Sequence, residues 1–103
     1  MRTAEVLVNG IKAGVFIEVV IQYEYEFIYE ANYQGYPVSL TLPLKTKHYK
    51  FSSFPAVFEG LLPEGMQLES LLRDKKINRR DLFALLIICG VDCVGAVTVR
   101  ELK

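Results

Sequence analysis

Apolar and polar side chains alternate along the N-terminal part of the chain with the period of two that is typical of β-strands. A short apolar run at residues 5–8 is followed by Asn9-Gly10, and residues 11–20 form a second apolar run. Asn-Gly favours a tight hairpin, because a type I′ turn needs positive φ at both central residues. We therefore expect an N-terminal β-hairpin, with Gly14 as a candidate bulge in its second strand.

The sharpest alternation lies in residues 22–30 and predicts a third strand. One face is aromatic, and its members are Tyr23, Tyr25, Phe27 and Tyr29. The other face is mostly acidic, and its members are Glu24, Glu26, Ile28 and Glu30. A turn then precedes residues 38–44, where leucines alternate with polar residues and predict a fourth strand that ends, or lies at an edge, at Pro43. Residues 45–51 are interpreted as a polar connector.

Beyond residue 51 the apolar spacing changes to the threes and fours of helices. A first helix is expected with Ser52 or Ser53 as its cap and Pro55 in its first turn. Its apolar stripe comprises Phe54, Val57, Phe58 and Leu61. A second helix is predicted over residues 66–74, burying Leu68, Leu71 and Leu72.

The third predicted helix covers residues 79–89 and is apolar nearly all round, so it should be central. Asn78 is its expected cap, and Gly90 its expected C′ residue. Residues 96–102 are predicted to form a final strand. Together these elements predict an α+β fold, a small and mostly antiparallel sheet with about three helices packed on one face, in a single domain covering residues 1–103.

Composition narrows the function classes. Of the 103 residues, 51% are hydrophobic and 23% charged, so the chain should fold, and its zero net charge argues against a dedicated nucleic-acid binder. No signal peptide and no apolar run long enough to span a bilayer is present, which indicates a cytoplasmic protein without membrane contact. One histidine and two cysteines leave little material for a metal site, a His-based triad or a cofactor. Cys89 and Cys93 are interpreted as reduced residues in or near the core.

Glycine turns, carboxylates and basic runs are three further features of the sequence that could form chemical sites. No phosphate-cradling glycine motif is present. The carboxylates at positions 24, 26 and 30 are expected to be solvated rather than catalytic. Two basic runs are expected to be solvated loop faces, with phosphate contact as the alternative. These runs comprise Lys45, Lys47, His48 and Lys50, and then Lys75, Lys76, Arg79 and Arg80.

The junction between the first two helices is the most suggestive local feature. Pro63 forces Leu62 away from helical geometry, so the turn should project between two helices. Met66 is flexible and apolar, and such a side chain adapts to a partner's pocket; the alternative is that it folds back into the core. The predicted partner-binding residues are Pro63, Glu64, Gly65, Met66 and Glu69.

Four segments in order resemble the N-terminal subdomain of HipA-type toxin kinases. They are Val38–Leu44, Phe58–Gly65, Asp81–Leu86 and Gly90–Val97, and the opening hairpin with Gly14 agrees as well. HipA-type proteins continue from this subdomain into a kinase core. This sequence has no ATP-binding loop, catalytic aspartate motif or metal-binding motif, so it is not expected to be an enzyme.

The resemblance implies a HipS-like antitoxin that binds and neutralises a HipT-like serine/threonine kinase, with a HipB-like helix-turn-helix protein in a larger complex. Residues 101–103 follow a final strand, which we interpret as the ending of a free-standing chain. The main alternative is a non-inhibitory structural or dimerisation module of a HipA-like kinase. A DNA-associated cofactor and an independent enzyme are the remaining readings.

Overall fold

A five-stranded antiparallel sheet is the centre of the computed structural model, which describes residues 2–62, 65–90 and 96–102. In chain order the elements are β1 (Arg2–Val8), β2 (Ile11–Val20), β3 (Glu24–Tyr29), β4 (His48–Phe51), α1 (Ala56–Glu59), α2 (Gly65–Lys75), α3 (Leu82–Cys89) and β5 (Val97–Glu101). The strand order is β4-β3-β2-β1-β5. The predicted α+β class, with an antiparallel sheet and three helices, is confirmed.

The N-terminal hairpin forms as its sequence predicts. Asn9 and Gly10 have φ values of 53° and 81°, the positive values that a type I′ turn requires. The bulge of β2 lies at Ala13, which the pairing register skips, and not at Gly14. Gly14 is needed for another reason, because a Cβ there would lie 2.4 Å from the carbonyl oxygen of Ile28 on β3.

The core lies between the sheet and the helices and is built around Phe16 of β2. This ring stacks on Phe58 of α1, with centroids 4.3 Å apart, and on Phe83 of α3 at 5.4 Å. It also stacks on Tyr25 of β3 at 5.6 Å. All four side chains are buried, so α1 and α3 are fixed to the same face of the sheet.

The predicted strand over residues 38–44 is wrong, because this segment is a loop. Its leucines do not share a face, since Leu40 is 96% exposed and Leu42 is 2% exposed. The hydroxyl of Tyr29 accepts from the Val38 amide at 2.9 Å and donates to the Leu42 carbonyl at 2.5 Å. The loop backbone therefore bonds to a tyrosine side chain instead of to a neighbouring strand.

The segment interpreted as a polar connector supplies the fourth strand instead. Residues 48–51 form β4 and pair with β3 in antiparallel register, Ile28 opposite His48 and Tyr25 opposite Phe51. Its apolar residues, Tyr49 and Phe51, are half-buried against the core.

The first helix is shorter than its apolar stripe suggests. It is a single turn, and Pro55 occupies the N-cap position without a side-chain hydrogen bond, so neither Ser52 nor Ser53 caps it. The apolar stripe is nevertheless correct, because Phe58 is buried and Phe54 packs against the core beside it. Among the described residues no helix is long and apolar enough to cross a membrane.

The third helix begins later than predicted. Asp81, not Asn78, is its N-cap, and the Asp81 carboxylate accepts from the Ala84 amide at 3.2 Å. Gly90 is not a left-handed C′ residue, since its φ is −66°. Glycine is required there because a Cβ would lie 2.8 Å from the Cβ of Val99 on β5.

Candidate partner-binding site

The residues directly after α1 stay hydrogen-bonded to that helix. Phe58 is fully buried, and the amides of Leu61 and Leu62 donate to carbonyl groups of α1 at 3.1 Å. The chain is thus fixed up to the point where the predicted site begins. Two predicted site residues, Pro63 and Glu64, lie outside the described residues.

Met66 lies in the first turn of α2, which starts at Gly65. Its side chain is 89% exposed, so it does not fold back into the core. An exposed thioether of this kind is an adaptable apolar contact for another protein. The projection of the turn and the binding role of Met66 and Gly65 stay predictions.

Glu69, the last predicted site residue, lies three positions after Met66 and therefore on the same side of α2. Its carboxylate forms an ion pair with Arg79, and the two side chains are 54% and 60% exposed. Glu69 thus joins α2 to the α2–α3 connection in addition to any contact with a partner.

A groove of about 470 Å³ opens beside this pair. Its walls come from α1, α2 and α3 and from the segments around them, and the lining residues are Ala56, Glu59, Gly60, Leu62, Leu68, Arg79, Leu82 and Leu85. The predicted burial of α2 is only partial, because Leu68, Leu71 and Leu72 are each half-buried. The sequence pattern shows an apolar stripe on α2 but not how far it lies from α1 and α3, so it gives no sign of the groove.

An ionic cluster built on the buried Glu18 joins the first strand to α3. Arg2 donates to the carboxylate of Glu18 at 2.6 Å and to both carboxylate oxygens of Asp81, at 2.8 and 3.1 Å. Glu18 is 1% exposed, and its second oxygen accepts from the Tyr25 hydroxyl at 3.3 Å and from the Gln22 amide at 3.1 Å. Every polar group of the cluster is therefore paired, as a buried carboxylate requires.

The pKa values of the cluster follow from these contacts. The hydrogen bond to Asp81 is the largest cause of the raised pKa of Arg2. Burial acts to raise the pKa of Asp81, but hydrogen bonds from Arg2 and the Ala84 amide outweigh it, and that pKa is lowered. Burial, followed by the charge of Glu18, raises the pKa of Tyr25 to about 12. None of these three shifts moves a pKa towards neutrality, so the cluster is suited to fixing α3 and not to exchanging protons near pH 7.

Of the carboxylates expected to be solvated, one is exposed and two form ion pairs. Glu24 is exposed, Glu26 pairs with His48, and Glu30 pairs with Lys12 at 3.1 Å. Among the described residues no cluster of histidine, cysteine and acidic side chains has the arrangement of a metal site.

Both basic runs are exposed, in agreement with solvated faces. Cys89 is half-buried and donates from its thiol to the Leu85 carbonyl at 2.8 Å, as expected of a reduced residue near the core. The other cysteine, Cys93, lies outside the described residues.

Comparisons with known proteins agree with this architecture. A solved structure of the N-terminal domain of HipA toxin superimposes with a TM-score of 0.77 and 24% identity, over 100% of this chain and 94% of that one. An uncharacterized protein of Haemophilus influenzae (strain ATCC 51907 / DSM 11121 / KW20 / Rd) is 30% identical over 79 residues, which is 77% of this chain and 74% of the relative. The family model of the HipA N-terminal domain matches residues 4–100. The chain therefore belongs to the HipA N-terminal domain family.

Proposed function

We propose that this chain is an antitoxin that binds a HipT-like serine/threonine kinase and neutralises it by protein–protein contact, with no catalytic step of its own. Membership of the HipA N-terminal domain family supports a toxin–antitoxin context. The observation that carries the proposal is the 89% exposure of Met66 in the first turn of α2. An exposed methionine is a flexible apolar contact that adapts to the surface of another protein, which supports a binding role for the junction.

The α1–α2 junction is the proposed inserting element, comprising Pro63, Glu64, Gly65, Met66 and Glu69. A stable complex needs about 1,200–2,000 Å² of buried surface, which the junction supplies only together with its surroundings. Complete burial of one methionine side chain contributes about 1.5–3 kcal/mol, or roughly ten- to a hundredfold in affinity. Met66 would therefore act as an anchor within a wider contact.

Two modes of inhibition follow from such a contact. The junction either fills the nucleotide or substrate cleft of the kinase, or holds the kinase in an inactive arrangement. A junction that fills the nucleotide cleft makes ATP and the antitoxin compete for one site, so antitoxin affinity measured with and without ATP tests for this arrangement. In the cell the complex is proposed to form in the cytoplasm and to include a HipB-like helix-turn-helix protein.

Co-expression with a HipT-like kinase tests the proposal. The unaltered chain should relieve the growth arrest that the kinase causes, and Met66→Asp should abolish relief while the protein stays folded. Leu40→Asp is the matched control, because Leu40 is 96% exposed and lies in the β3–β4 loop.

Each contrary result has a defined meaning. Relief that survives Met66→Asp contradicts the anchor role of the junction. Binding without relief favours the non-inhibitory structural or dimerisation module. A genome neighbourhood without a kinase for the chain to restrain argues against both.

A further inference from the structure

The turn between β2 and β3 exposes three large apolar side chains. Val20 is 45% exposed, Ile21 64% and Tyr23 71%, at a place where polar residues are the rule. The turn is well defined, because Gln22 has a φ of 65° and donates its amide to the carboxylate of Glu18 at 3.1 Å. The Tyr23 amide also donates to the Val20 carbonyl at 2.9 Å. The backbone that carries these apolar side chains is thus held in one conformation.

The connection between α2 and α3 adds positive charge. Lys75, Lys76 and Arg80 are exposed, and no ion pair engages them within the described part of the chain. The neighbouring Arg79 differs, since it pairs with Glu69. Three cations in six residues are therefore available to an external anion.

The ionic cluster places these two features at the same end of the sheet. Glu18 binds the Gln22 amide of the turn and also Arg2, which in turn binds Asp81 at 2.8 Å. Asp81 directly follows Arg80 in the chain. We call the combination the end surface, comprising Val20, Ile21, Tyr23, Lys75, Lys76 and Arg80. Two exposed carboxylates, Glu24 and Asp74, adjoin this surface in sequence, so its three cations leave a small positive excess.

We infer that the end surface docks on a protein partner that presents an apolar pocket rimmed by carboxylates. The inference rests on the proposed function and makes this partner the same kinase. Tyrosine and arginine are enriched at interfaces, and exposed cations are complementary to a carboxylate-bearing surface. A second copy of the chain fits less well, because a two-fold contact brings identical cations together.

One kinase can contact both the α1–α2 junction and the end surface. Helix α2 has 11 residues and so spans about 16 Å between Met66 and the basic connection. That length fits within a single interface of standard size, which covers about 800 Å² on each partner. The end surface would then supply the area that the junction alone lacks.

Binding kinetics with the purified HipT-like kinase test the inference. Ile21→Ser with Tyr23→Ser should raise the Kd at least about tenfold, as loss of anchor residues does. Lys76→Glu with Arg80→Glu should slow association about tenfold at 50 mM salt, and this difference should shrink at 300 mM because salt screens exposed charges.

Matched controls come from the opposite end of the sheet. Ile11→Ser removes an apolar side chain that is 63% exposed, nearly the same as Ile21. Lys45→Glu reverses an exposed charge outside the end surface. Both should bind the kinase within about twofold of the unaltered chain, since residues outside an interface contribute little.

The possible results separate this inference from the proposed function. If the unaltered chain does not bind the kinase, both are overturned. If Met66→Asp weakens binding but both end-surface variants bind normally, only the inference is overturned. It is likewise overturned if these variants change dimerisation in sedimentation, or binding to a 30-base-pair DNA duplex, and leave kinase binding unchanged.

Discussion

The guanidinium of Arg2 and the carboxylate of Asp81 form a double hydrogen bond across 79 positions of sequence. The same carboxylate caps α3 through the Ala84 amide. Asp81 therefore fixes both where α3 begins and where it lies relative to β1. The buried Glu18 on the other side of Arg2 makes this pair part of a closed network.

Removing the Asp81 carboxylate should destabilise the folded chain. We expect Asp81→Ala to lower the free energy of unfolding by about 2–4 kcal/mol, because the helix loses its cap and Arg2 loses a partner. Asp81→Asn keeps a capping oxygen and should cost about half as much. Urea denaturation measures both, with exposed Asp74→Ala as the control; an equal loss in all three variants would contradict the role of Asp81.

Stability should fall in acid partly through the same residue. The pKa of Asp81 is lower in the folded chain than its ordinary value of 3.8, so the unfolded chain binds its proton first as the pH falls. The ionised Asp81 carboxylate therefore contributes its full stability at pH values above 3.8. This contribution is lost as the pH falls through the lower pKa of the folded chain. Urea midpoints between pH 6 and 2 should therefore fall less steeply for Asp81→Asn than for the unaltered chain; parallel curves would contradict this.

The conformation of the β3–β4 loop should depend on the hydroxyl of Tyr29. Tyr29→Phe removes the group that bonds to Val38 and Leu42, and leaves a buried amide and a carbonyl without their partner. We expect a loss of about 1–3 kcal/mol and faster hydrogen exchange confined to the loop. Tyr23→Phe, at a side chain that is 71% exposed, should change neither quantity. Uniformly faster exchange across the sheet would show that the hydroxyl does not act locally.

Replacement by alanine should have different effects on stability at two glycines. A Cβ at Gly90 would lie 2.8 Å from Val99, so Gly90→Ala should destabilise the fold by about 1–3 kcal/mol. At Gly60 the nearest atom to a new Cβ is 3.5 Å away, and φ is −64°. Gly60→Ala should thus be neutral or slightly stabilising. Thermal unfolding of the two variants gives the comparison, and similar midpoints would contradict the close contact at Gly90.

The ion pair between Glu69 and Arg79 should add little to stability. Both side chains are more than half exposed, and such pairs contribute about 0.2–1 kcal/mol. A double-mutant cycle with Glu69→Gln and Arg79→Gln in urea measures this coupling. If Glu69 contacts the kinase as proposed, Glu69→Gln should weaken kinase binding more than Arg79→Gln does; equal effects would assign Glu69 to the pair alone.

Local signals predicted much of this fold correctly. Asn9-Gly10 specifies its turn through backbone conformation alone, and the period-two pattern of β3 reports directly on a sheet with one buried face. The same type of pattern failed over residues 38–44. There the outcome depends on the Tyr29 hydroxyl, which lies outside the segment and gives no periodic signal.

In the candidate site, too, local sequence signals indicate some features and miss others. Pro63 and the helix boundaries on either side are local features that single out Met66, but they leave open whether its side chain projects or folds back into the core; the structure shows it 89% exposed. The groove and the partners of Glu18 were not predicted, because they depend on residues that are far apart in sequence. In the sequence, Glu18 is only an interruption of the apolar residues 15–21. An isolated charge in a buried strand indicates that a partner is present, but the sequence does not show which residue it is.

Strand β5 pairs with β1, and the Leu102 amide donates to the Thr3 carbonyl at 3.1 Å. During synthesis on the ribosome, the outer edge of β1 therefore stays unpaired until residues 97–101 have emerged. Contacts between such distant segments form slowly, and an open strand edge attracts other chains in the meantime. Truncated translation products that end before β5 should accordingly be substrates for chaperones and proteases.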